Sequence, residues 1–261
     1  MSLKKSQLLN FANSFANQSR EILKKKYFKN FKIEQKIDGS LVTDIDKKIE
    51  LLFRKKLKKV FPDHGIVGEE FGSDRIENEY VWIIDPLDGT HSFISGKPLF
   101  GTLICCTKDK IPIIGVIDMP ILNQRWHGGI GLGVRMNNKR CRYKKKNQKL
   151  NESIVSSTSP LMFDEKHMSK IKKIYKKFRF PIFGTDCYSY GLLLSGKIDL
   201  IIEANMKPWD YMAQVALFDE LGTSITDWNG KKLNIHSEGK VVASYERNHH
   251  KKILSFLKEI I

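Results

Sequence analysis

Two carboxylates three residues apart close an apolar run in this 261-residue chain: Val81-Trp82-Ile83-Ile84 leads straight into Asp85-Pro86-Leu87-Asp88-Gly89-Thr90. Acids gathered at the mouth of a core strand repel one another and resist desolvation. A hard divalent cation offsets both effects, because such ions need convergent oxygen ligands. Other acids fall at expected element ends: Asp46 ahead of an apolar stripe, Glu69 and Glu70 at the close of a short strand, and Asp210 after Lys207-Pro208-Trp209. Singly, each has an ordinary explanation, Asp46 and Asp210 as helix-start residues and Glu69 as a loop acid. Together, Asp85, the Leu87 carbonyl, Asp88 and Glu69 can surround one or two Mg²⁺ ions, which keep positions open for water and phosphate oxygens. Gly89 lets the backbone approach an anion closely, and free amides at such a turn cradle phosphate. The Thr90 hydroxyl can orient a water that Glu69 also touches. This set points to metal-assisted phosphate hydrolysis rather than acid–base sugar chemistry.

The elements that must position these residues read as follows. Apolar residues at helical spacing predict a helix over 4–28. Residues 39–61 begin as a turn and a short extended piece and continue as a helix, with Ile49, Leu52, Phe53, Leu57 and Val60 on one stripe and Pro62 ending it. A short strand is expected over 65–72, then strands at 81–85, 99–107 and 111–118, the last two forming a hairpin. The glycine-rich stretch 124–140 reads as a hairpin; it lacks the strand–GxGxxG–helix order of a phosphate loop. The basic block 139–149 marks the expected boundary between an N-terminal α+β half, 1–145, and a C-terminal α/β half, 146–261. Beyond it strands alternate with helices over 164–178, 186–196 and 210–222, the pattern of an α/β layer. Further strands at 224–230 and 240–245 and a helix over 247–260 end the chain.

Hydrophobic residues make up 41% of the chain, enough for a sizeable core and against disorder. The net charge of +16 admits nucleic-acid binding, but the lysines are scattered and no zinc-finger or RNP-type motif accompanies them. A lysine-rich background with a field that draws in small anions explains the charge better. The four cysteines include no CxxC pair, which fits a reducing, cytoplasmic compartment. Adjacent Cys105 and Cys106 should point to opposite faces of a strand. No apolar run is long enough to span a bilayer.

The segments GEE (68–70), DPLDGT (85–90) and WDYMA (209–213), in that order, resemble the motifs of the inositol monophosphatase superfamily of Mg²⁺-dependent phosphatases. LVTDID (41–46) is similar to that superfamily's upstream segment. DGTHSFISGKPLFGTLI and GTDCYSYGLLLSGKIDLIIEANMKPWDY look closest to its histidinol-phosphatase branch, with His91 where that branch commonly has Lys or Arg. The resemblance implies a layered α-β-α-β-α sugar-phosphatase-type fold of mixed α+β and α/β character, and a homodimer. It implies that Glu69, Asp85 and the Leu87 carbonyl bind a first Mg²⁺, that Asp85, Asp88 and Asp210 bind a second, and that Glu69 takes part in a third. By the same resemblance Glu69 and Thr90 activate the attacking water, Asp46 supports Thr90 from behind, and the Gly89 and Thr90 amides hold the phosphate. His91 is assigned to the substrate side.

The resemblance implies hydrolysis of histidinol phosphate, a step of histidine biosynthesis. That substrate carries an ammonium and an imidazole, which acids near the leaving group would suit. Asp186 and Glu203 are the candidates; Asp186 reads equally as the N-cap of a helix over 187–196. Tyr188 and Tyr190 read as packing residues, and Asn205 as a possible polar group on the substrate side. Inositol monophosphate or another small sugar phosphate is the alternative substrate. An adenine-containing bisphosphate would need a larger insertion than this chain has room for.

Overall fold

The computed structural model describes residues 4–37 and 39–258. Leu8, Ala12, Phe15, Ser19 and Leu23 fall on one buried face of helix α1 (Lys5–Lys26). Strands β1 (Ile33–Gln35) and β2 (Leu41–Thr43) form a small antiparallel hairpin. Thr43 then caps helix α2 (Asp44–Val60), accepting a hydrogen bond from the Ile45 amide. Asp46, three residues into the helix, reaches back to the Thr43 amide at 3.0 Å and completes a capping box. Ile49, Phe53 and Leu57 of the expected stripe are buried; Val60 is exposed, and Phe61 turns inward instead to pack against Phe11.

Eight strands form the first sheet: β3 (Gly65–Gly68), β4 (Gly72–Asp74), β5 (Tyr80–Asp88), β6 (Gly101–Lys108), β7 (Ile111–Met119), β8 (Gln124–Gly129), β9 (Gly133–Met136) and β10 (Lys139–Arg140). Their spatial order is β10-β9-β8-β7-β6-β5-β3-β4, antiparallel except for the β3–β5 pair. Two expectations need correction. The segment 65–72 is not one strand, because the chain turns after Gly68 through Glu69-Glu70-Phe71 and returns as β4. The strand from Val81 does not stop at Asp85 either. β5 continues to Asp88, with Asp85 opposite Leu103, Asp88 opposite Gly101, and a register shift between them. Pro86 has no amide to give the ladder, so the strand survives there only as a bulge, which re-aims the side chains at its end. The short helix α3 (Thr90–Ile94) follows directly, with Gly89 at φ +80° as its N-cap.

Residues 141–149 connect the two sheets without regular secondary structure. The second sheet contains β11 (Ile154–Ser157), β12 (Phe180–Phe183), β13 (Leu200–Glu203), β14 (Ser224–Thr226) and β15 (Val241–Ser244), in the order β12-β11-β13-β15-β14. β11 runs parallel to both neighbours, as strand–helix alternation expects, and β15 is antiparallel to its own. The intervening helices are α4 (Glu165–Tyr175), α5 (Tyr188–Leu194) and α6 (Pro208–Leu221); α7 (Arg247–Lys258) closes the described chain, and the last residues expected in that helix lie outside it.

These elements stack as α-β-α-β-α. One apolar core joins α1 and α2 to the first sheet, a second places α5 and α6 between the sheets, and a third lies between the second sheet and α4 with α7. Cys105 faces the middle core and Cys106 the outer one, as strand alternation requires. Every residue of α6 from Tyr211 to Phe218 is buried, since this helix has a sheet on each side. Gly115 of β7 permits the close approach: a Cβ there would lie 2.1 Å from the Ala213 carbonyl oxygen of α6.

Candidate active site

The bulged end of β5, the N-terminus of α6, the β3–β4 turn and the end of β13 converge on one cleft of about 180 Å³. Asp85, Asp88 and Asp210 bring carboxylate oxygens within 4.8 Å of one another. Each is held from behind by a backbone amide. Leu87 donates to Asp85 at 2.9 Å, Cys187 to Asp88 at 2.7 Å, and Lys207 to Asp210 at 2.7 Å. Asp210 occupies in α6 the same capping-box position that Asp46 occupies in α2. Glu69 sits on the β3–β4 turn, which the buried Glu50 of α2 holds by accepting from the amides of Glu70 at 2.7 Å and Phe71 at 3.2 Å. The Thr90 hydroxyl lies 3.0 Å from the Leu87 carbonyl and 3.3 Å from Asp46.

Burial raises the pKa of Asp85, Asp88, Asp210 and Asp46, and repulsion from neighbouring carboxylates adds to it. Asp85 is raised well above the ordinary carboxylate value by desolvation, then by Glu69, Asp88 and Asp210. Asp210 is raised in the same way, by desolvation and then Asp88. Asp88 is pushed up to about 7 by burial and by Asp186, against the Cys187 hydrogen bond. Asp46 is pushed up to about 6 by burial, partly offset by its bonds to Thr43. Among the described residues no lysine or arginine pairs with Asp85, Asp88 or Asp210. An all-oxygen donor set of crowded, cation-free carboxylates fits a hard divalent ion.

Asp46, His91 and Asn205 lie outside the lining of the cleft, and the other sequence-predicted site residues line it. Asp46 is fully buried behind Thr90. His91 is exposed on α3 and is not among the lining residues; burial raises the pKa of Asp186, and the Ser92 hydrogen bond, Lys97 and His91 offset part of that rise. Asp186 is not the cap of α5. Cys187 holds that position, and Asp186 takes a left-handed backbone at φ +44° that turns its carboxylate toward α3. There it accepts from the Ser92 hydroxyl at 2.7 Å and presses on the phosphate turn: a Cβ on Gly89 would lie 3.1 Å from it. Glu203 is buried at the end of β13 and accepts from the Thr158 amide at 3.0 Å, the Thr158 hydroxyl at 2.6 Å and the Tyr190 hydroxyl at 2.7 Å. Asn205 is exposed and donates to the Met162 carbonyl at 2.8 Å.

Sequence reasoning passed over Lys36 and Thr158, gave Glu70 no role, and read Tyr190 as packing. Lys36, from the β1–β2 hairpin, pairs with Glu69 and Glu70 at 2.9 Å each. Burial works against its charge, but the two glutamates outweigh it and raise its pKa. Glu70 is pushed up to about 7 by burial and by Glu69. Thr158 and Tyr190 fix Glu203. The polar run SSTS at the end of β11 was the one local mark of Thr158, and nothing local singles out Lys36 among the chain's lysines.

Residues 4–261 match the family model described as the inositol monophosphatase family. The chain belongs to the inositol monophosphatase family. Its relatives include a chloroplastic bifunctional phosphatase, IMPL2, of Arabidopsis thaliana, 39% identical over 89% of this chain and 67% of that protein. A histidinol-phosphatase of Chlorobaculum parvum is 30% identical over 83% of each chain. Among solved structures, an inositol monophosphatase from Zymomonas mobilis superposes with a TM-score of 0.88 at 31% identity, covering 98% of this chain and 100% of that one. The layered architecture described above is that of inositol monophosphatase structures, and the chain is an inositol monophosphatase-family phosphatase.

Proposed function

We propose that this phosphatase hydrolyses histidinol phosphate to histidinol and inorganic phosphate, a step of histidine biosynthesis, with Mg²⁺ as its cofactor. Enzymes of the family use Mg²⁺. In this reading Asp85, Asp88 and Asp210, with Glu69 and the Leu87 carbonyl, hold two or three ions. When bound, Mg²⁺ supplies Lewis-acid polarisation of the phosphoryl oxygens and neutralises the crowded carboxylates.

The chain's own residues then act as follows. The Thr90 hydroxyl gives its hydrogen to the Leu87 carbonyl or to Asp46, which leaves its lone pairs free to accept from a water. Glu69 takes that water's proton as the water oxygen bonds to phosphorus; the bond from phosphorus to the ester oxygen breaks, and histidinol leaves as the alcohol once that oxygen takes a proton from solvent. The Gly89 and Thr90 amides hold the phosphate.

The observation that carries the substrate is the pair Asp186 and Glu203, both on the cleft and neither with a cationic partner within salt-bridge distance among the described residues. Histidinol phosphate presents an ammonium and an imidazole to such carboxylates; inositol phosphate presents only hydroxyls. The histidinol-phosphatase relative supports this reading. Hydrolysis of inositol monophosphate or another small sugar phosphate is the second reading, favoured by the inositol monophosphatase structure of 31% identity. We place the protein in a reducing, cytoplasmic compartment on its four free cysteines. We also read it as a homodimer through edge strand β12, where Phe180 and Phe183 are exposed by 44% and 40%.

The test is phosphate release from histidinol phosphate, inositol 1-phosphate and fructose 1,6-bisphosphate under the same conditions. The proposal expects histidinol phosphate to turn over fastest; faster turnover of inositol 1-phosphate contradicts it.

A further inference from the structure

No residue of the basic block lines the hydrolytic cleft, and the fold gives the block a definite place. Segment 141–149 crosses the outer face of α5 as a strap and closes a groove of about 710 Å³, within the range that takes small-molecule ligands. Lys139, Arg140, Arg142, Lys144, Lys145 and Lys197 line the groove, all exposed, and no carboxylate does. Among the described residues none of the six has a carboxylate within salt-bridge distance.

The nearby acids are used to hold the strap itself. Glu246 accepts from the Tyr143 hydroxyl at 2.9 Å and from the Lys146 amide, and Asp199 pairs with Lys146 at 2.6 Å. The Tyr245 hydroxyl accepts from the Lys144 amide at 2.9 Å. The backbone is therefore pinned while its cations are gathered on one side without counter-charge. These cations are exposed, so water and salt screen their repulsion more than that of the buried acids, and an anion in the groove is drawn by their summed field.

The wall opposite the strap is apolar. Half-buried Tyr188 and Leu192 of α5 form it with Met136, and Trp126 backs Tyr188 at 5.9 Å between ring centroids. Helix α5 separates this groove from the hydrolytic cleft, because Cys187 and Tyr190 face the cleft and Tyr188 and Leu192 the groove. A half-buried tyrosine facing a bank of Arg and Lys across the groove suits a planar ring that carries several phosphates. We propose that the groove between strap 141–149 and helix α5 is a second ligand site, for a nucleotide-class anion with a planar base and two or more phosphates.

Calorimetric titration of the full-length protein in EDTA tests this, with ADP, inorganic tripolyphosphate and adenosine as separate probes. ADP is expected to bind once per chain and to weaken as salt is raised. Arg142→Ala/Lys145→Ala, both at exposed positions, should weaken ADP by about tenfold or more, at the loss of two charge-assisted contacts. Tyr188→Leu should weaken ADP while leaving tripolyphosphate unchanged, and Asp85→Asn should leave ADP unchanged. No heat with millimolar ADP overturns the proposal, as does full affinity in the double variant. Tripolyphosphate binding as tightly as ADP overturns the nucleotide class, and an oligoribonucleotide that displaces ADP at far lower concentration overturns it in favour of a nucleic-acid surface.

Discussion

The Thr90 hydroxyl lies 3.3 Å from a carboxylate oxygen of Asp46, across 44 residues of sequence, and this contact joins the start of α2 to the phosphate turn. The other Asp46 oxygen accepts from the Thr43 amide and hydroxyl. A single buried acid thus caps a helix and fixes the direction of the hydroxyl proposed to orient the attacking water. Asp46→Asn is expected to lower kcat by about a hundredfold with little change in KM, the scale of a lost proton-orienting contact. Steady-state kinetics on the best substrate of the panel checks this; an equal rise in KM with kcat unchanged would assign Asp46 to binding.

Without metal, stability should fall as pH rises. Asp46 goes from 3.8 to about 6, Glu70 from 4.5 to about 7 and Asp88 from 3.8 to about 7 on folding. Each folded carboxyl therefore keeps its proton to higher pH than its unfolded counterpart. The folded state binds more protons through that window, and the stability these groups contribute is present below about pH 4 and lost as pH climbs toward 7. Urea unfolding in EDTA at several pH values should show midpoints dropping over this range, and Mg²⁺ should restore them most at the alkaline end. A metal effect equal at all pH values would contradict this assignment.

Tyr190→Phe removes one of the three hydrogen bonds to Glu203 and leaves a buried carboxylate oxygen unpaired. A loss of about 1–3 kcal/mol in unfolding free energy is expected. If Glu203 faces the substrate amine, KM for histidinol phosphate should also change more than KM for inositol 1-phosphate.

Gly115→Ala tests the packing of α6 on the first sheet. The added methyl would meet the Ala213 carbonyl at 2.1 Å, a backbone atom that no rotamer change can move. Destabilisation of about 1–3 kcal/mol or more is expected, and since α6 carries Asp210, Mg²⁺ affinity should weaken with it. Thermal melting and a Mg²⁺ titration report the two effects separately.

Local sequence carried much of this molecule. DPLDGT announces its own chemistry because both acids, the proline and the glycine sit in one turn-like segment, and the apolar spacing of α1 and α2 needs no tertiary information. The five-layer architecture was legible through the motifs and their order. What escaped was decided at long range. Lys36 meets Glu69 across 33 residues, and Thr158 meets Glu203 across 45, so neither pairing has a local pattern. The continuation of β5 past Pro86 was missed because proline normally ends a strand, and only pairing with β6 carries it through as a bulge. Asp186 resembled a helix cap in sequence, but its left-handed backbone passes that position to Cys187.

The central claim is that Asp85, Asp88 and Asp210 gather to hold the cation that phosphate-ester hydrolysis requires. Phosphate release measured against Mg²⁺ concentration for the wild type, Asp85→Asn and Asp210→Asn tests it most directly. The expected result is no turnover in EDTA, saturable activation by Mg²⁺ in the wild type, and loss of about a thousandfold or more in both variants. Turnover that persists in EDTA, or wild-type activity in either variant, would contradict the account.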